Sequence, residues 1–213
     1  DATIFAVSVE DVRERLSALP EVVQCDVQRR LPGTLQIKVQ ERVPVAWIQC
    51  EPVGFLGRRA DGVLIDENGI TFPCEGALWQ ASQNLPVINM ITAKSEDFDH
   101  GTKVKHVDLM RALDLMATFS EADVREEWLP EQITLINDYS MELVCHNQSK
   151  AIFGMYEHKR QVENYITIHE HCLAENRNSD NPGMKQEIKQ MNLMPRMNIP
   201  VEFKKQMAPL DEP

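Results

Sequence analysis

The feature that most constrains the fold is a long alternating stretch close to the start of the chain. From Leu35 to Gln40, apolar and polar residues alternate, the pattern of a half-buried antiparallel strand. The same period of two precedes it and predicts one shared face for Val23, Cys25 and Val27. Because a turn dipeptide, Pro32-Gly33, lies between the two runs, this stretch predicts a two-stranded hairpin.

A helix is predicted immediately before the hairpin. Ser8 can cap its N-terminus, with Asp11 in the first turn, and Pro20 marks its end. The apolar positions recur at helical spacing: Val9, Val12, Leu16 and Leu19. A helix over two strands is too small to be stable alone, so the chain is predicted to come from a longer protein.

The rest of the chain predicts a second, mixed unit. Asn68-Gly69 is a strong hairpin turn, and Pro44 is expected at a bulge or an edge. Helices are predicted over 106–119 and 156–173. Strands are predicted over 131–137, 141–146 and 150–154, with two short strands within 191–205. The fold class is therefore α+β.

Composition excludes several classes of partner. The net charge of −11, from 22 basic and 33 acidic residues, disfavours nucleic acid and anionic lipid, which need clustered cations. No apolar run is long enough to span a membrane. The five cysteines are widely spaced and lack a Cys-x-x-Cys pair, which argues against zinc and redox motifs.

No motif predicts catalysis, a cofactor or a metal. His169 and His171 on a helix point about 200° apart and do not readily share an ion. Cys145 and His146 are neighbours in a strand and point to opposite faces, so they do not form a nucleophile–base pair. We therefore predict that the chain is not an enzyme.

A specific resemblance begins in the helix and runs through the hairpin. The stretch "LSALPEVVQCDVQRRLPGTLQIKVQERVPVAW" resembles the FtsQ/DivIB family of cell-division proteins. That family shows L-x-x-L-P-x-V, then V-x-R, P-x-T-L and I-x-V-x-E-R-x-P-V-A. Further on, "LIDENGITF" and "NLPVI" resemble later family motifs. The terminal "MNLMPRMNIPVEF" is a weaker match, because Met194 replaces the usual basic residue.

The resemblance implies an architecture. Residues 1–46 would be the C-terminal part (helix, strand, strand) of a POTRA domain. Residues 47–206 would be the family's β domain, a mixed, mainly antiparallel curved sheet with flanking helices, and 207–213 a tail. One N-terminal membrane span would precede this region in the parent, placing it on the periplasmic side of the cytoplasmic membrane.

The resemblance also implies a function. Family members are non-enzymatic scaffolds of the divisome that bind FtsB and FtsL and help septum formation, partly by β-strand addition at the last strand. The matching segment gives these candidate partner-binding residues: Ile199, Val201, Glu202, Phe203, Lys204 and Lys205. Glu41, Arg42 and Pro44 are predicted to form an interdomain hinge, in which the Glu-Arg pair binds backbone or each other.

One alternative comes from another class of protein. POTRA domains also serve outer-membrane assembly and secretion, usually as serial units before a transmembrane barrel. A single upstream membrane span would favour division, and a downstream barrel would favour transport.

Overall fold

The computed structural model describes residues 7–178 and 185–204. Its chain forms two compact units. The N-terminal unit takes residues 1–87 and 92–106, and the C-terminal unit takes 88–91 and 107–213. The domain boundary predicted between residues 46 and 47 comes from the family resemblance and falls inside the N-terminal unit. It stays a prediction. The predicted tail, 207–213, lies outside the described residues.

The N-terminal unit begins with the predicted helix and hairpin. Helix α1, Val9–Ser17, is capped by Ser8, whose Oγ accepts a hydrogen bond from the Asp11 backbone N–H at 3.1 Å. Strands β1, Val22–Arg30, and β2, Thr34–Glu41, then pair antiparallel across the Pro32-Gly33 turn. The predicted order of helix, strand and strand is confirmed.

The predicted inward position of Val23 in β1 is wrong. Val27 is 1% exposed, but Val23, which the alternation placed beside it, is 50% exposed. The register of β1 against β2 shifts between Val22 and Gln24, and Val22 takes the inward position. A bulge of this kind moves every side chain before it to the other face of the strand.

Strands β3 to β6 complete the N-terminal unit. Strand β3 pairs antiparallel with β4 and β5, and β5 pairs with β6. The register of β3 shifts next to Pro44, as predicted for a bulge. The core holds Trp47, Leu64 and Phe72, against which Trp79 packs. The element bounds are β3, Pro44–Cys50; β4, Phe55–Leu56; β5, Val63–Asp66; β6, Thr71–Pro73; and helix α2, Leu78–Ser82.

A glycine beside this core makes a testable prediction. A Cβ at Gly62 would overlap the Gly57 carbonyl oxygen and would lie 2.8 Å from the Trp47 ring. We expect Gly62→Ala to lower the free energy of unfolding by about 1–3 kcal/mol through overpacking, measured by urea denaturation. Gly33→Ala is the control, because a Cβ there meets nothing within 4 Å. Equal midpoints for the two variants would contradict this packing.

The C-terminal unit is built on a second set of strands, in the order β7-β8-β9-β10-β11-β12. Strands β8, β9 and β10 are antiparallel, β11 runs parallel to β10, and β12 is antiparallel to β11. The bounds are β7, Val87–Met90; helix α3, Val107–Glu121; β8, Pro130–Asn137; β9, Ser140–Cys145; β10, Lys150–Gly154; helix α4, His158–Asn178; β11, Ile188–Asn192; and β12, Val201–Phe203.

These elements confirm the α+β class and the mainly antiparallel pairing. The strands predicted over 131–137, 141–146 and 150–154 are present, whereas β11 begins at Ile188, before the predicted range 191–205. Helix α4 continues five residues beyond its predicted end at 173. Aromatic rings join the helices to the sheet: Phe119 and Phe153 both pack on Tyr165. The Tyr165 hydroxyl donates to the Trp128 carbonyl at 2.8 Å. In the described part of the chain, no helix is both long and apolar enough to cross a membrane.

Candidate functional site

The predicted partner-binding residues lie at one end of the C-terminal sheet. Val201, Glu202 and Phe203 form β12, the last strand in the order. Within residues 7–178 and 185–204, β12 has β11 as its one strand neighbour. Lys204 directly follows the strand, Ile199 is half-buried in the connection before it, and Lys205 lies outside the described residues.

The backbone of β12 alternates between its partner and the open side. The Pro200 carbonyl accepts from Asn192 at 3.0 Å, and the Lys204 N–H donates to Glu187 at 2.8 Å. Residues at 200, 202 and 204 therefore direct their backbone groups towards β11. Since this direction alternates along an antiparallel strand, Val201 and Phe203 direct their N–H and C=O groups outward.

The side chains around β12 are mostly paired or partly buried. Glu202 forms an ion pair with Lys189 at 2.6 Å, and Lys204 forms one with Glu187 at 3.0 Å. Val201 is half-buried, but Phe203 keeps 39% of its surface exposed. Among the described residues, the outer edge therefore combines backbone groups that point away from β11 with an accessible aromatic ring.

The outer strand β6 of the N-terminal unit differs from β12. A loop covers β6: the Gly101 N–H donates to Thr71 at 2.9 Å and the Val104 N–H donates to Gly69 at 2.8 Å. An isolated bridge also joins Ile70 to Lys103. Covering an edge in this way prevents pairing with another chain. Such a covering distinguishes β6 from β12 among the described residues.

The predicted hinge residues occupy the junction between β2 and β3. Arg42 donates from Nε to the Pro20 carbonyl at 2.7 Å and from Nη1 to Asp66 Oδ2 at 2.9 Å. Its own N–H donates to the Glu21 carbonyl at 2.7 Å. Glu41 is exposed at the end of β2, and the described residues contain no Glu41–Arg42 ion pair. Arg42 thus joins the α1–β1 connection to the β5–β6 turn.

Asp66 is a residue whose role the sequence did not reveal. Its Oδ1 accepts the Asn68 and Ile70 N–H groups at 3.0 and 2.8 Å, while Oδ2 binds Arg42. The ion pair is buried, with side chains 11% exposed for Arg42 and 5% for Asp66. The available signal was that both residues stand in motifs of the same resemblance, "ERVPVAW" and "LIDENG".

A groove of about 320 Å³ lies in the C-terminal unit, between α4 and the start of β11. Burial lowers the pKa of His169 to about 4. Burial also raises the pKa of the Cys172 thiol, as do the nearby Glu175 and Glu187 carboxylates. A neutral imidazole and a protonated thiol do not form the ion pair of an activated cysteine. The lining includes Glu127, Trp128, Asn147, His169, Cys172, Asn176, Gln186 and Lys204.

The other candidate chemical residues are also separated. Cys145 is buried beside Tyr165, whereas His146 lies in the turn after β9 and is exposed. Among the described residues, no group of three or more His, Cys, Asp or Glu side chains could hold a metal ion. All five cysteines are free thiols.

Comparison with known proteins identifies the N-terminal segment. Residues 1–42 match the family model of the FtsQ-type POTRA domain. The match confirms, over those residues, the predicted resemblance to the FtsQ/DivIB family. An FtsQ-type POTRA domain indicates a periplasmic division protein, and its family consists of non-enzymatic scaffolds. No curated protein matches the chain.

Proposed function

We propose that this chain is the extracytoplasmic part of a divisome scaffold that binds FtsB- and FtsL-type single-pass proteins and helps septum formation. It carries no catalytic activity, and one N-terminal span anchors the parent in the cytoplasmic membrane. The observation that carries the proposal is the FtsQ-type POTRA match over residues 1–42. Its likeness to the family's division scaffolds favours this function over outer-membrane assembly or secretion.

The proposed binding surface is the outer edge of β12. An added strand gains main-chain hydrogen bonds from such an edge and specificity from alternate side chains. Val201 and Phe203 would supply the backbone groups, and the exposed Phe203 ring would supply an aromatic anchor, a residue type enriched at binding hot spots. Ile199, Glu202, Lys204 and Lys205 would flank the added strand.

The edge assignment predicts the effect of one backbone change. We expect Val201→Pro to weaken binding of the FtsB-type partner about tenfold, because proline removes an outward donor while edge strands tolerate it. Binding of the purified partner segment by titration calorimetry measures the loss. The far-ultraviolet circular dichroism should stay that of the unchanged protein.

The matched control is Val201→Ala, which shortens the side chain but keeps the N–H group. We expect this variant to lose less affinity than Val201→Pro. Unchanged partner affinity in Val201→Pro would contradict the assignment of β12 as the binding edge. Equal losses in both variants would assign the effect to the side chain instead.

The hinge role of Glu41, Arg42 and Pro44 belongs to the same proposal. The Arg42 bonds to Pro20 and Asp66 support a fixed orientation between the POTRA-like segment, 1–46, and the chain that follows. Pro44 lies at the register shift of β3, which redirects the chain as it leaves β2. Because Arg42 binds Pro20 and Asp66 rather than Glu41, Glu41 would contribute to the hinge only as the last residue of β2.

A further inference from the structure

The hairpin of β11 and β12 joins the rest of its sheet through a short parallel pairing. Strand β11 pairs with β10 through Lys150↔Gln190, Ala151↔Met191 and Ile152↔Asn192. The strands of the hairpin themselves pair from Ile188↔Phe203 to Met191↔Val201, with a bulge between. A short parallel pairing is a weak support for a binding edge. The buried side chains of Ile188, Met191 and Leu193 also anchor β11, and further polar contacts hold the two ends of the hairpin.

The first contact is at the connection between the two strands. Arg160, near the start of α4, donates from Nη1 to the Pro195 carbonyl at 3.2 Å and from Nη2 to the Met194 carbonyl at 3.4 Å. The Glu157 carboxylate lies 3.3 Å from Arg160 Nε and 2.6 Å from Arg196 Nη2. Arg160 and Glu157 together hold the connection against the beginning of the helix.

The second contact is at the opposite end of the hairpin. The Asn176 side-chain amide donates to the Gln186 carbonyl at 2.7 Å and accepts from the Gln186 N–H at 2.8 Å. This pair of bonds reproduces what a neighbouring strand would offer to Gln186 just before β11. Arg160 and Asn176 are 16 positions apart, so the two contacts lie about 24 Å apart along α4.

We propose that Arg160 and Asn176 are positioning residues that clamp the terminal hairpin at its two ends and keep the β12 edge ordered for strand addition. The role of the clamp in partner binding rests on the proposed function, but its effect on the order of the hairpin can be measured in the unbound chain. A binding segment that is already ordered does not lose that conformational entropy when the partner binds. Residues that never touch the partner would therefore set part of its affinity.

The direct test is site-resolved hydrogen exchange of the unbound chain. Two backbone amides report on the hairpin, because Asn192 donates to Pro200 and Lys204 donates to Glu187. We expect Arg160→Ala to speed exchange at these amides about tenfold, from the loss of two hydrogen bonds. Asn176→Ala should act alike. Amides between β8 and β9 should keep their rates.

Matched controls separate the clamp from a general loss of stability. Lys159→Ala changes an exposed neighbour of Arg160 and should leave all rates unchanged. Asn176→Asp keeps the acceptor and loses the donor, so it should show a smaller increase than Asn176→Ala. Unchanged exchange at both reporter amides in Arg160→Ala and Asn176→Ala would overturn the clamp.

Binding of the same purified partner segment tests the purpose of the clamp. We expect Arg160→Ala and Asn176→Ala to lose affinity, whereas Lys159→Ala keeps it. Faster exchange with unchanged affinity, in a protein whose Val201→Pro variant does lose affinity, would contradict the positioning role. If Val201→Pro also binds the partner normally, β12 is not the binding edge, and the clamp has no role in binding. Hydrogen exchange would still test whether Arg160 and Asn176 order the hairpin.

Discussion

Arg42→Ala is expected to lower the free energy of unfolding of the N-terminal unit by about 3 kcal/mol. The substitution leaves the buried Asp66 carboxylate without its cation and the Pro20 carbonyl without its donor. Asp66 keeps two backbone N–H bonds, which limits the cost to the lower part of the range for a broken buried ion pair. Urea denaturation followed by tryptophan fluorescence measures the change.

Two controls test whether geometry or charge causes this loss. Arg42→Lys keeps the positive charge but lacks the planar fork that reaches two acceptors, so we expect an intermediate loss. Arg59→Ala removes an exposed ion pair with Asp61, whose cost should stay within about 0.5 kcal/mol. An Arg42→Ala variant as stable as Arg59→Ala would contradict a structural role.

Arg42→Ala also tests the hinge. We expect the small-angle scattering profile to change together with partner affinity, because the hinge hypothesis makes both depend on the orientation of residues 1–46 relative to the chain that follows. Changed binding with unchanged scattering would assign Arg42 to a direct partner contact instead.

The second large effect concerns acid stability. His169 packs flat on Trp128, with ring centroids 4.7 Å apart, and edge-on to Tyr165 at 4.6 Å. Burial lowers its pKa from 6.5 to about 4, against a weaker opposing effect of Glu170. Between these two values the unfolded chain binds more protons than the folded one. Stability is therefore lost as the pH falls from about 6.5 to 4, by up to about 3 kcal/mol.

His169→Phe should remove this part of the pH dependence. Phenylalanine keeps an aromatic ring between Trp128 and Tyr165 and has no proton to bind. Urea denaturation at pH 7.5 and at pH 4.5 should show a smaller difference for the variant than for the unchanged protein. The same difference in both proteins would mean that other groups cause the acid sensitivity. His171→Phe, at an exposed position, is the matched control.

Local patterns predicted the elements that local interactions determine. The helix at Val9–Ser17 and the hairpin at Asn68-Gly69 follow from capping, period and turn chemistry within a few residues. Val23 was misplaced because a bulge depends on how β1 pairs with β2, which the period of β1 does not contain. The order of strands in the sheet depends on distant pairings in the same way.

In the candidate site, too, the sequence indicated which residues to consider but not the contacts between residues distant in the chain. The choice of residues 199–205 came from the family resemblance, whereas the outward direction of Val201 and Phe203 required the pairing with β11. The role of Asp66 was not predicted, because its partner Arg42 is 24 positions away in the sequence. No motif singled out Arg160, and Asn176 lies beyond the predicted end of its helix at residue 173. Only the folded chain brings them to the carbonyl groups that they bind.

The most direct test of the scaffold is site-specific photo-crosslinking of the full-length protein in dividing cells. A photoreactive amino acid replaces Phe203 at the outer edge of β12, and Tyr139, an exposed residue of the same unit, is the control position. We predict products with small single-pass division proteins from position 203 and not from position 139. Products with outer-membrane assembly or secretion components, or equal products from both positions, would contradict the proposed function.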